Sequence, residues 1–208
     1  MSSEENSPLT NYQLPIIDRQ LPVQFIQKLL LYLFISIFIL FVTGCQPRYG
    51  AAAYSVKRVS DGDTIRVINA KGDEFTVRFA CVDAPEIPHS TKERYSQSRA
   101  DIDQFKWGLQ AQQRLQKLIK QAGDRVNLTI TDSDRYGRKV SEVRLGDGTL
   151  VQEVLAREGL VLVYTPYLKN CPSAAVVERA ATQAREKHRG VWSDAKFVAP
   201  WKYRSAKR

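Results

Sequence analysis

From Val56 onward, apolar and polar residues alternate in short runs that turn signals interrupt before a helical period can build up. Val56 to Val59, Thr64 to Ile68 and Phe75 to Val82 are separated by Asp61-Gly62 and Lys71-Gly72, pairs that favour tight hairpin turns. In the third run Phe75, Val77, Phe79 and Cys81 fall on one face, as a buried sheet face requires, so Cys81 is expected as an inert core thiol. The alternation returns at Val126, Leu128 and Ile130 and at Val140 to Leu145. The turn-rich Asp132-Ser133-Asp134-Arg135-Tyr136-Gly137-Arg138 joins these last two runs.

Helical spacing fills the gaps between strands. Ile87 to Lys106 is polar and broken by Pro88, so it reads as a long loop. Trp107 to Gln121 then places Leu109, Ala111, Leu115, Leu118 and Ile119 at helical spacing, with Gly123 suited to a left-handed cap. After Asp147-Gly148, Thr149 and Gln152 have the form of a capping box opening a helix with Val151, Val154 and Leu155 on one face. Leu160 to Tyr164 is a short apolar run able to pair with the strands. A final helix starts at Pro172-Ser173, is lined by Val177, Ala180, Ala181 and Ala184, and stops at Gly190. The order β-β-β-α-β-β-α suits an α+β fold: a five-stranded Greek-key barrel of the OB type with about three α-helices.

The N-terminus follows different rules. Met1 to Gln20 is polar, without an apolar period, and is expected to be disordered. Lys28 precedes an unbroken apolar run, Leu29 to Val42, shorter than the roughly 20 residues of a spanning helix. The run ends in Val42-Thr43-Gly44-Cys45, which resembles a bacterial lipobox and makes Cys45 the expected lipidation site; an uncleaved signal anchor is the alternative. Either reading exports the domain and tethers it to a bacterial membrane.

The formal charge is +9, and the first 45 residues hold two basic and three acidic side chains, so residues 46–208 carry all of that excess and one charge more. Such a surface attracts polyanions, through counterion release and its long-range field. Three cysteines, Cys45, Cys81 and Cys171, form neither a disulfide framework nor a zinc pattern, and the sequence leaves open whether Cys81 and Cys171 pair.

Asp61-Gly62-Asp63-Thr64 and Arg78 to Glu86 concentrate four carboxylates and an arginine, hard oxygen donors for a calcium-sized ion beside a cation for phosphate. Zinc is disfavoured because no His or thiolate pattern accompanies them. Planar guanidiniums bind phosphate oxygens bidentately and stay charged, which suits Arg78 and Arg138 to the charge that builds up when a phosphodiester is attacked. Glu86 follows a proline-fixed turn and is placed to act as general base or to orient a water. Asp132-Ser133-Asp134 opens like an EF-hand loop, but Tyr136 and Val143 stand where further acidic ligands belong. His89 and His188 read as a loop histidine and a helix-end histidine, and Trp192 and Trp201 as packing residues.

Taken in register, Asp61-Gly62-Asp63-Thr64, Arg78-x4-Asp83-Ala84-Pro85-Glu86 and Asp134-Arg135-Tyr136-Gly137-Arg138 closely resemble the staphylococcal nuclease, or thermonuclease, family from about Val56 to Trp192. The resemblance implies calcium held by Asp63, Asp83 and the Ala84 carbonyl, and catalysis by Arg78, Glu86 and Arg138. It also implies substrate stacking on Tyr136, Tyr164 and Tyr167, although Thr165-Pro166 departs from the family pattern. Ala84 stands where most relatives carry Thr, removing a hydroxyl while keeping the backbone ligand.

The expected organisation is a leader and anchor over residues 1–45, a linker over 46–55, the nuclease-like domain over 56–192 and a basic tail over 193–208. The expected function is calcium-dependent endonucleolytic hydrolysis of DNA and RNA with little sequence preference, giving 3′-phosphate ends. Two alternatives remain: a non-catalytic nucleic-acid-binding barrel, and a basic module docking to anionic membranes through Lys196, Lys202, Arg204, Lys207 and Arg208. No protein partner is implied, and a monomer is expected.

Overall fold

The computed structural model describes residues 27–33 and 52–207. The chain divides into two compact units, Met1–Gln46 and Pro47–Arg208. In the first, residues 27–33 form helix α1, with Leu29 to Leu33 exposed. The rest of the leader, the lipobox-like segment with Cys45, and residues 46–51 of the linker lie outside the described residues. Among the described residues no helix is long and apolar enough to cross a membrane.

The second unit is built on a closed barrel in the order β1-β2-β3-β6-β5. Its strands are β1 (Tyr54–Val59), β2 (Thr64–Ile68), β3 (Glu74–Phe79), β5 (Arg125–Ser133) and β6 (Lys139–Arg144). All neighbours are antiparallel except β3 and β6, which run parallel with Arg78 opposite Val140. Ile65, Val67, Val77, Phe79, Val126 and Val143 fill the interior with essentially no exposure. Leu115 and Ile119 of α3 (Arg99–Gln121) and Val151 and Leu155 of α4 (Val151–Arg157) join the same core. The five-stranded barrel of OB type is thus as expected. The three expected helices correspond to α3, α4 and α5 (Ala174–Glu186), and among the described residues α2 (Thr91–Arg94) and α6 (Pro200–Ala206) add to them beside α1.

Several local expectations need correction. The third strand does not run unbroken to Val82. Cys81 adopts a left-handed conformation with φ +71° and turns the chain off the barrel, so that β4 (Val82–Asp83) pairs with β7 (Leu162–Val163) in a separate ribbon. The Leu160 to Tyr164 run therefore pairs with β4 and not with the barrel. Cys81 is also no free thiol: it forms a disulfide with Cys171.

Residues 87–106 are not one long loop. Ser90 caps α2 by accepting a hydrogen bond from Glu93 N, and α3 begins at Arg99, eight residues before the expected start. Its first turns escaped the apolar pattern because they bury polar side chains: Asp101 and Gln104 face the C-terminal segment. The Thr149 capping box does not form either. Leu150 is the N-cap, and the buried Gln152 amide instead accepts from Val143 N and donates to Ser141 O, satisfying the edge of β6. Finally, residues 193–207 are not a tail outside the domain, because α6 packs with Tyr203 buried.

Candidate active site

The β1–β2 turn and the start of β4 meet over α3. A Cβ on buried Gly62 would lie 2.6 Å from the Ala111 methyl and 2.8 Å from the Ala84 methyl, so only glycine lets these three segments close together. Gly108 does the same on the next turns of α3, where a side chain would collide with the backbone carbonyls of Glu86 and Pro85. These contacts bring the two acidic stretches to one cleft of about 840 Å³.

Asp63 and Asp83 are buried at its base, with 4 % and 1 % of their surfaces exposed. Arg78 lies across from Thr64 on the β2–β3 ladder, which aims its guanidinium between the two carboxylates. It pairs with Asp63 and donates from Nη2 to Asp83 Oδ1 at 2.5 Å. The same Asp63 oxygen that faces Arg78, Oδ2, also accepts from Ala84 N at 2.5 Å, locking the segment that carries Asp83 against the β1–β2 turn. Asp61 turns back to accept from Asp63 N at 3.0 Å. Glu86 is half-buried at the rim, its backbone N held by Gln104 Oε1 at 3.1 Å.

Electrostatics mark this as an anion-rich site. Burial and the neighbouring Asp63 push the Asp61 carboxyl up to about 7, and the same two causes push Asp83 up against the pull of Arg78 and Arg204. Burial opposes charge on Arg78, but Asp63, Asp83 and Asp61 outweigh it and hold the guanidinium above its ordinary value. The Nη1 of Arg78 is fully buried and faces Asp63 without an aligned hydrogen bond. Asp61, Asp63, Asp83 and Glu86 thus outnumber the guanidiniums of Arg78 and Arg204 that pair with them, and the hard oxygens of Asp63 and Asp83 are donors of the type a calcium ion takes.

Arg138 faces the same cleft from the β5–β6 turn. Asp134 positions it, accepting from Arg138 Nε at 2.6 Å and from the Arg138 and Tyr136 backbone N–H groups. Partial burial works against the Asp134 charge, but these bonds prevail and hold its carboxyl below the usual range. An exposed Tyr136 ring lies under the guanidiniums of Arg135 and Arg138. Tyr164 and Tyr167 lie with ring centroids 5.1 Å apart, and both line the cleft.

All the residues singled out from the sequence for this chemistry, Asp63, Arg78, Asp83, Ala84, Glu86, Tyr136, Arg138, Tyr164 and Tyr167, therefore share one cavity. Two further residues do as well. Trp201, expected as a packing residue, does pack, but against Tyr164 at 5.3 Å in the cleft wall. Arg204 donates to Asp83 Oδ2 at 2.7 Å and to Glu86 Oε1 at 2.6 Å. No local pattern announces Arg204, which lies 118 positions from Glu86 in a generally basic stretch.

Residues 76–194 match the family described as staphylococcal nuclease homologue, a span that includes Arg78, Asp83, Glu86 and Arg138 but not Asp63. An uncharacterized endonuclease of Escherichia coli is 34% identical over 152 residues, covering 73% of this chain and 84% of the relative. Micrococcal nuclease of Shigella flexneri is 30% identical over 170 residues, covering 78% and 86%. A probable staphylococcal-like nuclease of Oryza sativa subsp. japonica is 29% identical over 157 residues, 73% of this chain but 40% of the longer plant protein. With the barrel, the cleft and these similarities in agreement, the chain belongs to the staphylococcal nuclease homologue family.

Proposed function

We propose that this nuclease is a calcium-dependent endonuclease that hydrolyses DNA and RNA through their backbones, with little sequence preference and with 3′-phosphate products. The observation that carries the reading is the convergence of Asp63, Asp83, Glu86 and Arg78 in one cleft, with Arg138 facing them from the β5–β6 turn. Asp63, Asp83 and the Ala84 carbonyl would hold the ion, which when bound supplies positive charge to phosphate oxygens. The chain's own groups supply the rest. Arg78 and Arg138 bind the nonbridging oxygens and offset the charge that grows on them as water attacks phosphorus. Glu86 takes the proton from that water, and the bond to the 5′-oxygen breaks as the new bond forms. Tyr136, Tyr164 and Tyr167 in the cleft lining offer flat faces to unstacked bases, which favours strands read by stacking over base-edge contacts.

The expected export, with tethering at Cys45, fits the Cys81–Cys171 disulfide, since such bonds persist in oxidising compartments. The membrane-docking alternative loses ground because two of its cations are already engaged: Arg204 with Asp83 and Glu86, and Lys207 with Asp101. Cleavage of single-stranded DNA by the purified chain, with calcium and then with chelator, tests the proposal. Activity is expected only with the ion. Glu86→Gln is expected to lower turnover by about two to four orders of magnitude while leaving DNA affinity in place. Equal cleavage in chelator, or normal turnover by the variant, overturns the mechanism.

A further inference from the structure

The C-terminal helix α6 is fastened to the first turns of α3 through buried polar groups. Tyr203 donates its hydroxyl to Asp101 Oδ1 at 2.7 Å, and Lys207 Nζ reaches the same oxygen at 2.8 Å. Gln104, 1 % exposed, donates from Nε2 to Val198 O at 2.6 Å while its Oε1 holds Glu86 N. One side chain thus ties the approach to α6 directly to the backbone of the proposed base. On this footing Arg204 reaches back into the cleft.

Its fork spans two carboxylates at once. Nη2 meets Asp83 Oδ2 at 2.7 Å, and Nη1 meets Asp83 Oδ1 at 3.3 Å and Glu86 Oε1 at 2.6 Å. Because Arg78 also holds Asp83 Oδ1, both oxygens of Asp83 face guanidinium groups. A divalent ion on the same carboxylate would bring its charge against that of Arg204 across a shared oxygen, in a buried setting where the repulsion is poorly screened. Arg78 yields less readily, since its side chain is only 17% exposed and its guanidinium lies between Asp63 and Asp83. Arg204 can, because 39% of its side chain is exposed and the rest of α6 is anchored without it.

We propose that Arg204 is a positioning residue that competes with the divalent ion for Asp83, holding the Asp83 and Glu86 carboxylates in register until the ion enters and displaces it. The inference rests on the calcium reading given above. It makes the C-terminal segment a working part of the site, where Arg204 sets the ion concentration at which the site fills.

The test is calorimetric titration of Ca2+ into the full chain in detergent, without nucleic acid. Arg204→Ala is expected to bind Ca2+ about tenfold more tightly than the unmodified chain, the scale of one lost charge-assisted contact. Arg204→Lys, which keeps the charge but cannot span both carboxylates, is expected to fall between the two. Lys202→Ala removes an equal charge from an exposed position on the same helix and is expected to leave the affinity unchanged. If the unmodified chain binds Ca2+ and Arg204→Ala binds it equally or more weakly, the competition is overturned and the calcium reading stands. Matching gains in Arg204→Ala and Lys202→Ala also overturn it, since net charge alone then explains the effect. A chain that binds no Ca2+ at millimolar concentration overturns both.

Discussion

Asp61 shows how a single side chain reports on the site. With its folded value near 7 against an ordinary value of 3.8, it keeps a proton in the folded state that the unfolded chain has already lost between about pH 4 and pH 7. More protons bound in the folded state means that stability falls as pH rises through this window. Asp101 acts in the opposite sense but lower: burial opposes its charge, yet Lys207, Ser96 and Tyr203 hold it at about 2, so its contribution is lost only as pH falls from about 4 toward 2. Metal-free chain is therefore expected to melt at progressively lower temperature from pH 5 to pH 8, and Asp61→Asn, which keeps the acceptor for Asp63 N, is expected to flatten that slope. Melting curves in chelator across this range check it; a slope unchanged by the substitution removes Asp61 as its source. At this scale the sequence was informative where residues share a strand or turn. Asp63 lies just before β2, and Arg78, Asp83 and Glu86 lie within nine residues of one another at the end of β3 and just beyond it, and their spacing carried the chemistry. Arg204 reaches them only through the tertiary fold.

The elements show why α3 was half legible. Its second half faces the barrel with Ala111, Leu115, Leu118 and Ile119, an ordinary apolar stripe. Its first half faces another polar surface, where Asp101 and Gln104 satisfy buried groups of the C-terminal segment, and a hydrophobic period is blind to that. The break after β3 was hidden for a similar reason: Val82 continues the apolar pattern, but left-handed Cys81 redirects it to β7. The long α3 is also the surface on which Glu86 is set, through Gln104 and through the close approach at Gly108. A methyl group at Gly108 would push the Pro85 and Glu86 backbone off the helix. Gly108→Ala is thus expected to lower turnover by about a hundredfold, the cost of misplacing a reacting group by roughly 1 Å. Steady-state cleavage rates measured below the variant's melting point check this, and a folded variant with normal turnover shows that α3 does not position Glu86.

For the folded domain as a whole, the barrel topology follows from alternation and turn chemistry, which act locally, whereas its closure by long-range links does not. Three cysteines allow one pair, but which pair depends on how β3 leaves the barrel and where α5 begins, positions 90 residues apart that only the finished fold brings to a Cα separation of 5.5 Å. That bond encloses β4, α2, α3, β5, β6, α4 and β7, so it restricts the unfolded chain over most of the domain. It also ties the β3–β4 junction, two residues from Asp83, to the segment that follows Tyr164 and Tyr167. Reduction is therefore expected to lower the unfolding free energy by about 2–4 kcal/mol. Cys171→Ser is expected to show the same loss without reductant, leaving Cys81 as a buried thiol. Denaturant unfolding of both proteins, with and without reductant, checks this. The unmodified chain should lose stability on reduction while Cys171→Ser should not respond, and a midpoint insensitive to reductant in both would mean that the barrel and its helices hold the domain closed without the bond.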